Sequence, residues 1–182
     1  MIDSLYEPFQ RWSAFGSVYL ISDTHFDDED CKIMDKDWIS PMEHIEKIKK
    51  CVNKNDTLIC LGDVGNPAYM NLLKCYKVLI MGNHDEAASR FANYFDEIYK
   101  GPLMVGEKII LSHEPIDLDW ALNIHGHVHT KGEDDLWHMN IAANVVNFEV
   151  INLGKIIKAG RLKNIKSLHR KAIDNAGMAK GE

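Results

Sequence analysis

Short apolar runs along the chain alternate with stretches in which apolar residues recur every three or four positions. That pattern predicts strands separated by helices. Ser17 to Ser22 (SVYLIS) is β-branched and aromatic, and reads as a buried strand ending at a polar Asp-Thr-His cluster. An acidic loop with Asp27, Asp28, Glu29 and Asp30 follows. Ser40, Pro41 and Glu43 have the spacing of an N-cap, a first-turn proline and a capping-box glutamate, so a helix starts there with Ile45, Ile48 and Val52 on one face. Thr57 to Leu61 is a second strand, Ala68 to Cys75 a short helix, Lys77 to Met81 a third strand and Glu86 to Phe95 another helical stretch. The second half is richer in strands: Lys108 to Leu111, Leu122 to His125 and Leu136 to Ala142. Gly154 to Lys171 reads as helical, with Ile165, Leu168 and Ala172 spaced to dock by one apolar face. Strands alternating with helices, without repeats or long linkers, give an α/β fold.

Length and composition narrow the class. The chain has 182 residues, of which 46% are hydrophobic and 26% charged, ordinary for a soluble globular protein and unlike a disordered or collagenous one. A single domain over 1–182 is expected, with a core at about 17–153 and a basic, helical segment at about 154–182. No run approaches the roughly 18 apolar residues of a membrane span. Met1 to Gly16 interrupts its apolar residues with Asp3, Glu7, Gln10 and Arg11, unlike a signal peptide. A cytoplasmic protein with no membrane partner is the expectation. Cys31, Cys51, Cys60 and Cys75 form no C-x-x-C pair, so reduced, packed cysteines are expected. The net charge of −6 conceals an asymmetry: −12 over residues 1–154 and +6 over 155–182. A basic tail of this kind reads as a solvated terminal helix, with nucleic-acid contact the less favoured alternative.

The chemistry concentrates where predicted strands end. Five of them run into Asp23-x-His25, Gly62-Asp63-x-x-Asn66, Gly82-Asn83-His84-Asp85, Ser112-His113 and Gly126-His127-x-His129. In α/β folds, sites form in the crevice outside the carboxyl ends of the strands. Imidazole combined with carboxylate suits Zn, Mn, Fe, Co or Ni, whereas an all-carboxylate set would suit Mg or Ca. Asp23 and His25, like His127 and His129, stand two apart, which in extended backbone places each pair on one face. Asp63 lies between the pairs in sequence and is the natural bridge between two ions. The G-x-x-x-x-G-K-[ST], G-x-G-x-x-G and H-E-x-x-H patterns do not occur.

With these five motifs in this order, the stretch from Ser17 to Leu153 resembles the calcineurin-like metallophosphoesterases, of the small bacterial and phage type. The resemblance implies a four-layer α/β/β/α sandwich with a dinuclear metal centre at the strand ends. Carried over motif by motif, Asp23, His25, Asp63 and His129 would hold one divalent ion. Asp63, Asn83, His113 and His127 would hold the second, and manganese is the expected activator in vitro. His84 would be catalytic, contacting the phosphate and assisting the leaving group. The implied reaction is attack by a bridging hydroxide, in line, on a phosphate ester.

Departures from the family pattern shape the expected substrate. Asn66, followed by Pro67, stands where the protein-phosphatase branch has an acid followed by Arg-Gly, which argues against a Ser/Thr protein phosphatase. Asp27 and Asp28 follow Phe26 where small relatives often continue Gly-His. Met81 follows Asp63 by only 18 positions, which leaves no room for a cap and implies an open site. Few cations lie near the motifs, which favours a diester, with one negative charge, over a monoester. A phosphodiesterase acting on a small nucleotide or related ester is the leading reading. A non-catalytic metal-binding scaffold, or a nuclease using the basic tail, are the alternatives. Asn66, Arg90 and His125 are candidate supporting or substrate-contacting residues; Trp120 and Trp137 read as packing, and His44, His138 and His169 as surface or packing residues.

Overall fold

A computed structural model describes residues 1–132 and 134–178. A short N-terminal helix α1 (Glu7–Gln10) precedes β1 (Val18–Ile21), followed by α2 (Cys31–Met34), α3 (Pro41–Cys51), β2 (Thr57–Cys60) and β3 (Tyr76–Ile80). Helix α4 (Ala88–Phe91) leads into β4 (Glu97–Tyr99), β5 (Leu103–Gly106), β6 (Ile109–Leu111), β7 (Leu122–His125) and β8 (His138–Asn140). The chain closes with β9 (Ile151–Asn152), α5 (Leu153–Lys158) and α6 (Leu168–Met178).

Two sheets form the centre. One has the order β4-β3-β2-β1-β9, parallel except for β9; the other has the order β5-β6-β7-β8, parallel except for β5. In the first sheet the two side-chain faces go to different cores. Val18, Leu20, Ile59, Leu61, Val78 and Ile80 meet Ile109, Leu111, Leu122 and Ile124 of the second sheet. Ile21, Leu58, Cys60 and Leu79 point the other way, onto Ile45, Ile48 and Val52 of the α3 region and onto Phe91. Burial on both faces explains why these strands read as continuous apolar runs without alternation. Leu153, Ile156, Ile157 and Ile165 from the C-terminal segment join the inter-sheet cluster. The result is mixed α/β with two parallel-rich sheets and outer helices, the architecture of the α/β/β/α sandwich.

Helix α3 starts as its sequence requires: the Ser40 side chain accepts from the Glu43 N–H, and Glu43 reaches back to the Ser40 N–H. Elsewhere the boundaries differ from the periodicity. The helix expected at Ala68 to Cys75 is a set of 3₁₀ turns over Pro67–Leu72, capped by Asn66. The stretch Glu86 to Phe95 holds only α4, because the chain turns at Phe95 into β4. Strands β4, β5 and β9 carry no clear period and are defined by the strands they pair with. The C-terminal helix is broken by Gly160, whose φ of +90° is strained for any residue with a Cβ, into α5 and α6. Residues 179–182 of the expected basic segment lie outside the described residues. The cysteines Cys31, Cys60 and Cys75 are buried and all four are free thiols. Among the described residues, no helix is long and apolar enough to cross a membrane.

Candidate metal centre

The turns after β1, β2, β3, β6 and β7 bring their polar residues to one place. Backbone pairing ties the first two together: the Asp23 N–H donates to the Gly62 carbonyl and the His25 N–H to the Asp63 carbonyl. Asp23 and His25 do not sit in extended backbone, as their spacing suggests. Their φ values are 54° and 41°, and Asp63 (50°) and His127 (65°) share this left-handed region. Each such non-glycine residue costs about a kcal/mol or more and persists only where its surroundings fix it. The strands have already ended, and tight turns, not strand faces, aim the donors.

Two groups of donors result: Asp23, His25 and His129, and Asp63, His113 and His127. In the first, His25 Nε2 and His129 Nε2 lie 3.9 and 3.7 Å from Asp23 Oδ1. In the second, His113 Nε2 lies 3.2 Å from Asp63 Oδ2 and His127 Nδ1 lies 3.2 Å from His113 Nε2. Asn83 Oδ1 is 2.8 Å from His113 Nε2 and 3.1 Å from His127 Nδ1. Asp63 Oδ2 joins the groups, for it also lies 3.8 Å from His25 Nε2. Donors on one ion, each held at about 2.0–2.2 Å, are spaced roughly 3–3.6 Å apart, close to these separations.

Three histidines are turned by their other nitrogen. His25 Nδ1 is 2.9 Å from Asp28 Oδ2, His113 Nδ1 is 2.9 Å from the Leu61 carbonyl, and His129 Nδ1 is 3.0 Å from Asn144 Oδ1. With the proton on Nδ1, each Nε2 offers its lone pair to the site, the arrangement usual for metal-ligating histidines. His25 Nε2 is buried and has no hydrogen-bond partner. The convergence of such acceptors is stable only around positive charge. The same field acts on His113: burial opposes its charged form, but the hydrogen bond to Asp63 and the charges of Asp23 and Asp63 raise its pKa to about 9. Burial likewise opposes ionisation of Asp63, yet His113 and the His84 N–H hold it below the ordinary carboxylate range. The orphaned nitrogen and this donor set fit two divalent cations.

Two glycines are required by contact. A Cβ at Gly126 would lie 1.9 Å from Ser22 Oγ and 2.1 Å from Asp23 Oδ2. At Gly82 it would lie 2.2 Å from Asp63 Oδ1. Their hydrogens therefore let neighbouring turns close onto the carboxylates. Asp23 in turn accepts the His127 N–H at 2.9 and 3.1 Å.

The other predicted residues fall as follows. His84 is exposed at the rim, its ring centroid 5.7 Å from that of His25, and its N–H donates to Asp63 Oδ1. Asn66 does not reach His84; its side chain donates to Asp27 Oδ2 and accepts from the Ala68 N–H. Arg90 pairs with Glu86 at 3.8 Å and lies over Phe91. His125 is buried beside the site, with Nδ1 2.9 Å from the Gly126 carbonyl, and burial lowers its pKa. Trp120 and Trp137 precede β7 and β8, at the far end of those strands from the site.

Sequence reading missed four participants. Asp85 is buried, with Oδ2 accepting from the Gly82 and Asp63 N–H groups and Oδ1 from the Val64 N–H, so it clamps two motif turns together. Burial pushes its carboxyl above the ordinary range despite those three amides. Asp28, read as loop charge, orients His25; Asn144 holds His129 by both its ring and its carbonyl. Trp38 packs its ring 5.9 Å from His25 and 5.8 Å from His129. The place of Asp85 in Gly-Asn-His-Asp was the one signal available in sequence.

Comparison with known proteins agrees with the geometry. The calcineurin-like phosphoesterase superfamily domain matches over residues 17–163. Among solved structures, a protein of unknown function from Aquifex aeolicus is 27% identical, with a TM-score of 0.67 over 79% of this chain and 98% of that one. A nuclease from Pseudomonas putida is 23% identical, with a TM-score of 0.47 over 62% of this chain and 61% of that one. No curated protein matches the chain. Since the match at 17–163 takes in every strand of both sheets and all five polar turns, the chain belongs to the calcineurin-like phosphoesterase superfamily.

Proposed function

We propose that this protein is a metal-dependent phosphohydrolase, a phosphodiesterase of small nucleotides or related esters, acting as one catalytic domain. Asp23, His25, Asp63 and His129 would hold one divalent ion; Asp63, Asn83, His113 and His127 would hold the other. The observation that carries this reading is the position of Asp63 Oδ2, 3.8 Å from His25 Nε2 and 3.2 Å from His113 Nε2, within reach of one histidine of each group. Two divalent ions bound there supply the charge that lets water lose a proton near neutral pH and that offsets the phosphate oxygens.

The chain's own residues do the rest. Asp85 fixes the turns that carry Asp63 and Asn83, and Asp28, Asn144 and the Leu61 carbonyl fix imidazole tautomers, so the donors need little rearrangement. His84, exposed at the rim with its backbone tied to Asp63, can hydrogen-bond a phosphoryl oxygen or give a proton to the departing oxygen, worth about 10²–10⁴-fold. The five motif turns themselves carry no lysine or arginine, which supports a singly charged diester over a monoester at the scissile phosphate. Three cations of the basic tail are already paired, Lys166 and Arg170 with Asp174 and Lys171 with Asp119, which weakens the case for a polynucleotide grip. The free thiols support a reducing, cytoplasmic setting.

The test is manganese-dependent hydrolysis of bis-p-nitrophenyl phosphate beside the monoester, with wild type and His84→Ala. Metal-dependent diester turnover that falls at least a hundredfold in the variant is expected. Preference for the monoester overturns the substrate class. Protein that binds two manganese ions yet hydrolyses neither ester overturns the catalytic reading, and protein that binds none overturns the ligand set.

A further inference from the structure

Two cavities border the site, and their charge differs. The one beside His25, about 370 Å³, is lined by Asp27, Asp28 and Glu43. Its one cation, Lys32, is turned onto the carbonyl oxygens of Lys36 and Trp38. The other, about 270 Å³, is bounded by Gly82, Asn83 and His113, so it opens on the second donor group. Met81, Pro102, Pro115 and Ile116 give it an apolar lining, and Lys100 is its cation. Lys100 lies in the turn between β4 and β5 and is exposed. Unlike Lys166 and Lys171, it has no carboxylate within ion-pair distance among the described residues. Glu114 lines the same cavity and is the opposing charge there.

A substrate with a second anionic group would be repelled on the His25 side by three carboxylates. On the Asn83 side it meets an unpaired ammonium beside apolar surface that suits a sugar or base. We propose that Lys100 is a specificity-determining residue, and that the preferred substrates are nucleotide phosphodiesters bearing a second phosphate, which Lys100 receives. This rests on the phosphodiesterase reading above and narrows its substrate class. The charge asymmetry also orients the ester, with its second phosphate on the Lys100 side of the scissile one.

The experiment uses two esters that differ only in that group: thymidine 5′-(p-nitrophenyl phosphate), with and without a 3′-phosphate, assayed on the manganese-loaded protein. Wild type is expected to favour the 3′-phosphorylated ester about tenfold in kcat/KM, chiefly through KM. Lys100→Ala should bring the ratio to about one, Lys100→Arg should keep most of it, and Glu114→Gln should widen it about twofold. Calorimetric binding of thymidine 3′,5′-bisphosphate against thymidine 5′-phosphate should show the same loss in Lys100→Ala. Equal use of the two esters by wild type, or a preference that survives Lys100→Ala, overturns the proposal and leaves the phosphodiesterase reading standing. If neither ester is hydrolysed, that reading fails, and the ratio of bisphosphate to monophosphate affinity then decides the role of Lys100 by itself.

Discussion

Removing the Asp85 carboxyl should loosen the centre without touching any donor atom. The carboxyl is buried and accepts from Gly82 at 2.9 Å, Asp63 at 3.0 Å and Val64 at 3.1 Å, so Asp85→Ala leaves three backbone N–H groups without that acceptor. Each hydrogen bond to a charged acceptor contributes about 1.5–3 kcal/mol net. Relief of the buried charge, which already raises the Asp85 pKa, offsets part of that sum. We expect a net loss of about 3 kcal/mol, a large share of the 5–15 kcal/mol that stabilises a typical domain. Asp85→Asn keeps two of the amides on its one carbonyl oxygen but turns an NH₂ toward the Val64 N–H, and should cost about half as much. The assay is urea denaturation of metal-free protein, so that ion binding does not enter the comparison. Glu86→Gln, exposed one residue later, is the control and should stay within about 0.5 kcal/mol of wild type. Manganese affinity, measured separately by calorimetry, should fall about 10- to 100-fold in Asp85→Asn, as when partners that orient ligands are removed. If both Asp85 variants unfold within about 0.5 kcal/mol of wild type, the carboxyl does not hold the two turns and the reasoning fails.

Other changes test separate parts of the molecule. Gly126→Ala would drive a methyl into Ser22 and Asp23, so we expect manganese binding to be lost while far-UV circular dichroism is kept; unaltered affinity would contradict the close approach. Glu97 accepts from Arg11, Trp12, Tyr76 and Tyr99, and although burial opposes its charge, these donors bring its pKa down to about 2. Its stabilising contribution is therefore present above pH ~4.5, its unfolded value, and is lost as pH falls toward 2. With Arg11 half exposed, screening reduces the effect to about 1–2 kcal/mol, seen as a Glu97→Gln deficit at pH 6 that shrinks steadily below pH ~4.5 and is nearly gone only near pH 2. Burial lowers the His44 pKa to about 4, between Phe26 and Phe148, so the unfolded chain takes up a proton first as pH falls. Stability should be complete above pH ~6.5 and decline by about 1–3 kcal/mol toward pH 4. His44→Phe should flatten that decline, and an unchanged slope would remove His44 as its source.

Much of the site was legible along the chain because its chemistry is local. Each donor follows an apolar run within a few residues, and the motifs keep a fixed order from Asp23 to His129. Strands β1, β2, β3, β6 and β7 were equally legible, since most of their residues are buried whichever face they point to and apolar composition alone marks them. The α3 start was encoded by Ser40, Pro41 and Glu43, which satisfy one another over a single turn. Features that depend on a partner far along the chain were not legible. β4 is a strand only because β3 offers it a parallel edge, and β9 only because β1 does.

The same division runs through the side chains. The residue types of the donors came from sequence, but their aim came from left-handed turns at Asp23, His25, Asp63 and His127, which neighbouring turns impose through contacts such as Gly126 on Asp23. Asn66 closes the second motif and read as a supporting or substrate-contacting residue, yet tertiary packing gave its side chain to Asp27, 39 residues away. Arg90 was the cation nearest in sequence to the Gly-Asn-His-Asp turn, and Glu86 and Phe91 engage it; Lys100, farther along, lines the cavity beside Asn83. Sequence therefore determined which groups this protein has to work with and which strands deliver them. The tertiary structure decided which of them face one another, because hydrogen bonds and charges act over a few ångströms of space and not along the chain.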